Sequence, residues 1–173
     1  MIIKIVKRMK EMEYIYVFSD ASCNPLKDKS IGCYTFIRND LSVLNLDIQI
    51  HQMDFSSSTL AELNTIKVAL EYSHNKIKEL LLFTGKEKED IEITLYTDCK
   101  NFVDLITKRK DNDKIKAHRN YEFYKELIDL IAVYKTNVCW IKGHDKKYNK
   151  ISQSQKVFSI LDKKARQLSR EII

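Results

Sequence analysis

Two apolar runs that each stop on an aspartate constrain this chain more than anything else in it. Residues 14–19 (Tyr-Ile-Tyr-Val-Phe-Ser) lead into Asp20, and residues 91–97 (Ile-Glu-Ile-Thr-Leu-Tyr-Thr) lead into Asp98. Short runs rich in β-branched and aromatic residues read as strands. Two strands that finish alike can project both carboxylates from one edge of a sheet. The helical stretch between them supplies the connection.

The other elements fall around this pair. Residues 31–38 and about 43–51, where Leu46, Ile48 and Ile50 alternate with polar residues, complete an antiparallel meander. Hydroxyl residues up to Thr59 then open a helix over about 59–79, carried by Leu63, Ile66, Leu70 and Ile77. Thr59 and Glu62 have capping-box spacing, which gives Glu62 a purely structural reading beside any chemical one. After a charged loop at 85–90 and the strand 91–97 comes a short helix, 100–108, built on Phe102, Leu105 and Ile106. A basic connection, 108–116, leads to a helix over about 118–135 that buries Phe123, Leu127, Leu130 and Ile131. Residues 137–141 form a last strand, and Leu161, Ala165, Leu168 and Ile172 give the last helix its apolar stripe, with Asp162 near its N-terminal end. The order βββ-α-β-α-α-β-α predicts an α/β fold with a mixed sheet.

A length of 173 residues, without a linker, repeat or low-complexity block, fits one domain over 14–173 with residues 1–13 as an appendage. The opening residues are too often interrupted by lysine to form a signal-peptide core or a membrane span, so a soluble, intracellular protein that avoids membranes is expected. Cys23, Cys33, Cys99 and Cys139 have no zinc-like spacing, and reduced thiols are expected. A net charge of +6 suits a polyanionic partner without establishing one. With 24 acidic residues, most are solvated surface charges, and position alone singles out a few. A gap lined by carboxylate oxygens is what a hard divalent cation requires.

Five short motifs fall in order on these elements: Ser19-Asp20-Ala21-Ser22, Ala61-Glu62-Leu63, Tyr96-Thr97-Asp98, Trp140-Ile141-Lys142-Gly143-His144 and Leu161-Asp162. Together they resemble type 1 ribonuclease H, over roughly residues 14–172. The resemblance implies a ribonuclease H-like fold with strand order 3-2-1-4-5 flanked by helices. It implies an endoribonuclease that cuts the RNA strand of RNA/DNA hybrids and leaves 5′-phosphate and 3′-hydroxyl ends. By motif, Asp20, Glu62, Asp98 and Asp162 would hold two magnesium ions, with manganese as a substitute, and His144 would assist proton transfer and product release. Ser22, Cys23, Asn24, Ser58 and Thr59 match stretches that feel the hybrid, and Lys108, Arg109 and Lys110 lie where some members grip the DNA strand. A monomer is expected.

The chain also departs from that pattern. Ala21 and the segment 23–29 replace a glycine-rich turn, Ser58-Thr59 replaces an asparagine pair, and Cys99 replaces a serine. Residues 145–155 read as a long polar loop after His144. Two rival readings keep the fold: a non-catalytic module that binds hybrid or duplex, and a DNA-cutting relative of the resolvase or transposase kind. The retained acids argue against the first, because like charges clustered without metal repel. The Trp140–His144 element argues against the second.

Overall fold

The computed structural model describes residues 11–54, 57–110, 112–142 and 152–172. The sheet has five strands, β1 (Glu13–Asn24), β2 (Lys29–Arg38), β3 (Ile48–Met53), β4 (Ile91–Thr97) and β5 (Asn137–Trp140), in the order β3-β2-β1-β4-β5. β1 pairs antiparallel with β2 and parallel with β4, so the predicted mixed sheet and its strand order are both present.

Helices cover both faces. α1 (Ser58–Thr84), α2 (Lys100–Asp104) and α4 (Tyr121–Val133) pack on one side, where Ile15, Val17, Ile93 and Leu95 meet Leu63, Ile66, Phe102 and Leu127. α5 (Gln153–Glu171) lies on the other, where Val157, Phe158, Leu161 and Ala165 meet Phe18, Ile31 and Cys33. Along β1, odd-numbered residues therefore face α1 and even-numbered ones face α5, as the two-residue strand period requires. Gly32 of β2 lets α1 approach: a Cβ there would stand 2.3 Å from the side chains of both Thr65 and His51. α1 ends at Gly85, whose φ of 64° suits glycine and whose N–H bonds Leu81 O at 3.0 Å. No described helix is long and apolar enough to cross a membrane.

Several boundaries differ from those predicted. β1 starts at Glu13 and runs past Asp20 to Asn24, because beyond Phe18 it loses β4 yet keeps pairing with β2. β3 starts at Ile48, after Asn45 turns the chain with φ 59°, so Leu46 packs on the α5 side from outside the strand. The helix predicted over 100–108 becomes α2 followed by a wider π turn, Leu105–Arg109. A short helix α3, Asp113–Lys116, occupies the basic connection, and α4 begins only at Tyr121. α5 begins earlier than predicted, capped reciprocally by Ser152 and Gln155, so the polar segment 145–155 yields its last residues to the helix. Asp162 consequently sits midway along α5 rather than near its start.

Candidate active site

β1 and β4 run in parallel register as far as Phe18 beside Tyr96. Continuing that register by two residues sets Asp20 alongside Asp98, the first residue after β4. Asp20, being even-numbered, points to the α5 side, where Asp162 is carried at the level of Leu161 and Ala165. The first turns of α1 bring Glu62 from the opposite face of the sheet. Four acids distant in sequence thus converge at one end of the β1–β4 seam.

Electrostatics records the convergence. Asp20 is only 6 % exposed. Burial first, then the negative charges of Asp98, Asp162 and Glu62, hold its carboxyl well above the usual range, against one backbone N–H from Ala21. Glu62 is also raised, by burial first and by Asp98, while a hydrogen bond from Cys99 pulls the other way. Cys33, opposite Asp20 in β2, is pushed up to about 12 by burial and by the Asp20 charge. Asp162 is paired with a cation on its own helix: Arg166 Nε donates to its Oδ1 at 2.7 Å, one helical turn away.

The turn that carries Asp98 is braced on several sides. Trp140 Nε1 donates to Asp98 O at 3.1 Å, and Ile141 N donates to Thr97 O at 2.9 Å, so the end of β5 clamps the end of β4. Cys99 N donates to Thr97 Oγ1 at 3.1 Å. Asn101 Nδ2 reaches Thr59 Oγ1 at 3.4 Å and ties the start of α2 to the start of α1. Thr59 lies inside α1, whose cap is Ser57, with Oγ accepting from Leu60 N, so the capping-box reading of Thr59 and Glu62 gives way. Glu62 is left for the acidic cluster.

The other predicted site residues divide. Ser22 and Asn24 are half-buried and turned to α5: the Ser22 hydroxyl meets that of Ser169 at 3.0 Å, and Asn24 Nδ2 donates to Ser169 O at 3.0 Å. Cys23 Sγ accepts from Ser30 Oγ at 3.0 Å. Ser58 is exposed at the head of α1. Lys108, Arg109 and Lys110 are exposed at and just beyond the π turn, and Lys108 pairs with Asp104 at 2.6 Å. His144 lies outside the described residues. Sequence reasoning gave no role to Trp140 as a brace, to Cys99 as a donor to Glu62, or to Arg166. For Arg166 a signal was available, namely its i,i+4 spacing from Asp162.

Among the described residues, no three His, Cys, Asp or Glu side chains are already drawn into ligating geometry. The donor set nonetheless fits a hard divalent cation: the converging groups are carboxylate oxygens, and Asp20 is buried among three further negative charges that only added positive charge relieves.

Comparison with known proteins bears on the family and the fold. The RNase H family model matches residues 12–155. Proteins named Ribonuclease H from Rippkaea orientalis and Trichodesmium erythraeum are 31% and 30% identical over 84 residues, 42% of this chain and 51% and 53% of theirs. The chain thus spans about half the length of the curated relatives it matches. In three dimensions it resembles LC9-RNase H1, described as a type 1 RNase H with the type 2 active-site motif. That likeness has a TM-score of 0.63 at 13% identity, over 92% of this chain and 74% of the other. It also resembles a foamy viral protease-reverse transcriptase in complex with dsDNA, with a TM-score of 0.57 at 15% identity, over 94% of this chain and 97% of that one.

Proposed function

This chain belongs to the ribonuclease H family, and we propose that it hydrolyses the RNA strand of RNA/DNA hybrids at the cluster of Asp20, Glu62, Asp98 and Asp162. The observation that carries the reading is Asp20, a carboxyl 6 % exposed among three further acids. A structural acid in such a place would have a cation or several donors. Among the described residues it has a backbone donor in Ala21 and the like charges of three acids, which cost stability unless divalent metal binds.

The four acids would hold two magnesium ions, for which manganese would substitute, and the metal when bound supplies a water activated for attack on the scissile phosphate and stabilisation of the departing 3′ oxygen. The chain's own residues do the positioning. Trp140 and Thr97 hold the Asp98 turn, Cys99 orients Glu62, and Arg166 steadies Asp162. The β1–β2 hairpin at Ser22, Cys23 and Asn24 and the head of α1 at Ser58 and Thr59 flank the cluster, where RNA 2′-hydroxyls would be felt through backbone groups as much as side chains. Lys108, Arg109 and Lys110 would meet phosphates of the DNA strand, and His144 would serve proton transfer and product release.

The test is cleavage of a labelled RNA/DNA hybrid in magnesium, beside duplex DNA and duplex RNA, with the wild-type chain and Asp98→Asn. Hybrid-only cutting that needs metal and is lost in the variant is expected, with 5′-phosphate and 3′-hydroxyl products. Binding of hybrid without cutting of any substrate, in magnesium or manganese, contradicts the reading and leaves a binding module.

A further inference from the structure

The exposed side of α5 carries a basic groove that the acidic cluster does not use. It is open, encloses about 400 Å³, and is lined by Lys163, Arg166, Gln167, Arg170 and Glu171. Three of the five are cations, spaced so that they recur along one helix face. The acid among them is engaged by a neutral neighbour: Gln167 Nε2 donates to Glu171 Oε1 at 2.9 Å. Lys163 and Arg170 are exposed and form no ion pair among the described residues. Their charge faces solvent.

The groove is joined to the acidic cluster at one level of the helix, and at the next the helix is joined to the β1–β2 hairpin. Arg166, which forms part of its lining, holds Asp162 at 2.7 Å. One turn on, Ser169 Oγ donates to Arg166 O at 3.0 Å and meets the Ser22 hydroxyl at 3.0 Å, while Ser169 O accepts from Asn24. The groove therefore begins beside Asp162 and runs level with the β1–β2 hairpin. Lys163 and Arg170 lie on the solvent side of α5, flanking Arg166, open to the phosphates of a strand that leaves the acids along this helix.

We propose that this α5 groove is a second phosphate-binding track, taking the sugar–phosphate backbone of one strand of the bound hybrid beyond the point of cleavage. The proposal rests on the hybrid-cleaving reading for its ligand, and on charge complementarity and continuity with the acidic cluster for its place. Lys163 and Arg170 contact phosphate in it, and Arg166 ties its near end to Asp162.

The experiment is hybrid binding by fluorescence anisotropy in EDTA, across a salt series, with the wild-type chain, Lys163→Gln/Arg170→Gln and Lys163→Arg/Arg170→Lys, and thermal unfolding of each to confirm the fold. The Gln pair should weaken binding roughly tenfold at low salt and lower the slope of log Kd against log salt by about 2, one per phosphate contact, while the charge-preserving pair keeps the wild-type slope. An unchanged slope in the Gln pair overturns the track, as does a wild-type chain that binds no hybrid. The two readings separate: hybrid cleavage with an unchanged slope removes the track alone, and a lowered slope in a chain that cuts nothing removes the nuclease alone.

Discussion

β1 carries a buried acid near each end, and the two are held in opposite ways. Glu13 is 4 % exposed and Asp20 is 6 % exposed, so burial alone does not distinguish them. Glu13 accepts from Arg38 Nε and Nη2, each at 2.7 Å, from Asn39 Nδ2 at 2.7 Å, and from Lys86 Nζ at 2.6 Å. Hydrogen bonds from Arg38 foremost, helped by Lys86 and Asn39 and opposed by burial, lower its carboxyl to about 2. Among the described residues, Asp20 has one backbone donor and three acids around it, and its carboxyl is raised. The first end ties β1, the end of β2 and the segment after α1 together. The second stores an unmet need for positive charge, which is the mark of a site rather than of a scaffold.

The largest expected effect comes from Asp20→Asn. Removing a carboxylate from the metal-binding set should lower hybrid cleavage roughly 10³-fold, since bound metal contributes several kcal/mol to the transition state. Activity within tenfold of wild type in a magnesium cleavage assay would break the comparison at once. Glu13→Gln should act on the fold instead. Leaving Arg38 and Lys86 without their shared carboxylate costs about 2–3 kcal/mol and lowers Tm by roughly 5–10 °C, while cleavage at 25 °C stays within about threefold of wild type.

pH separates the two ends by sign. Glu13 has a folded value of about 2 against an ordinary 4.5, so its stabilisation is complete above 4.5 and is lost as pH falls from 4.5 toward 2. Asp20 is raised above its ordinary 3.8, so its contribution is most favourable below 3.8 and declines as pH rises through the interval up to its folded value. Denaturant unfolding of the metal-free chain over a pH series should show the acid-side loss in wild type and a smaller loss in Glu13→Gln. Asp20→Asn should remove the decline at higher pH.

Much of this arrangement is legible in the sequence, for physical reasons that differ by element. Asp20 and Asp98 stand out because each is an acid directly after an apolar run, and helical connections restrict how the strands can be ordered. The extension of β1 to Asn24 is not legible, because Ser22 and Asn24 are half-buried against a polar partner, Ser169, and leave no apolar alternation to follow. The start of β3 is hidden by Leu46, which packs as a core residue while lying outside the strand. The early start of α5 did leave a trace, Ser152 followed three residues later by Gln155, overshadowed by the polar stretch around it. The Glu13 clasp depends on Arg38, Asn39 and Lys86 meeting from separate segments, which no local pattern announces.

A smaller effect sharpens the upper end of the strand. Trp140→Phe keeps an aromatic ring but removes the donor to Asp98 O. Stability should change by roughly 1 kcal/mol and hybrid cleavage should fall about 3- to 10-fold. Because Trp140 is the one tryptophan in the chain, its fluorescence in the wild type reports directly on the Asp98 turn, and magnesium should alter that signal. A variant with wild-type cleavage would show that the β4–β5 clamp does not position Asp98.

The most direct measurement is thermal unfolding at neutral pH across a magnesium titration, wild type beside Asp20→Asn. Wild type should start at the lower Tm, because its buried acids repel, and should rise as metal is added; Asp20→Asn should start higher and respond weakly or not at all. An Asp20→Asn chain that starts lower, or that rises with magnesium as wild type does, would contradict the assignment of Asp20 and its three acidic neighbours as a metal-binding active site.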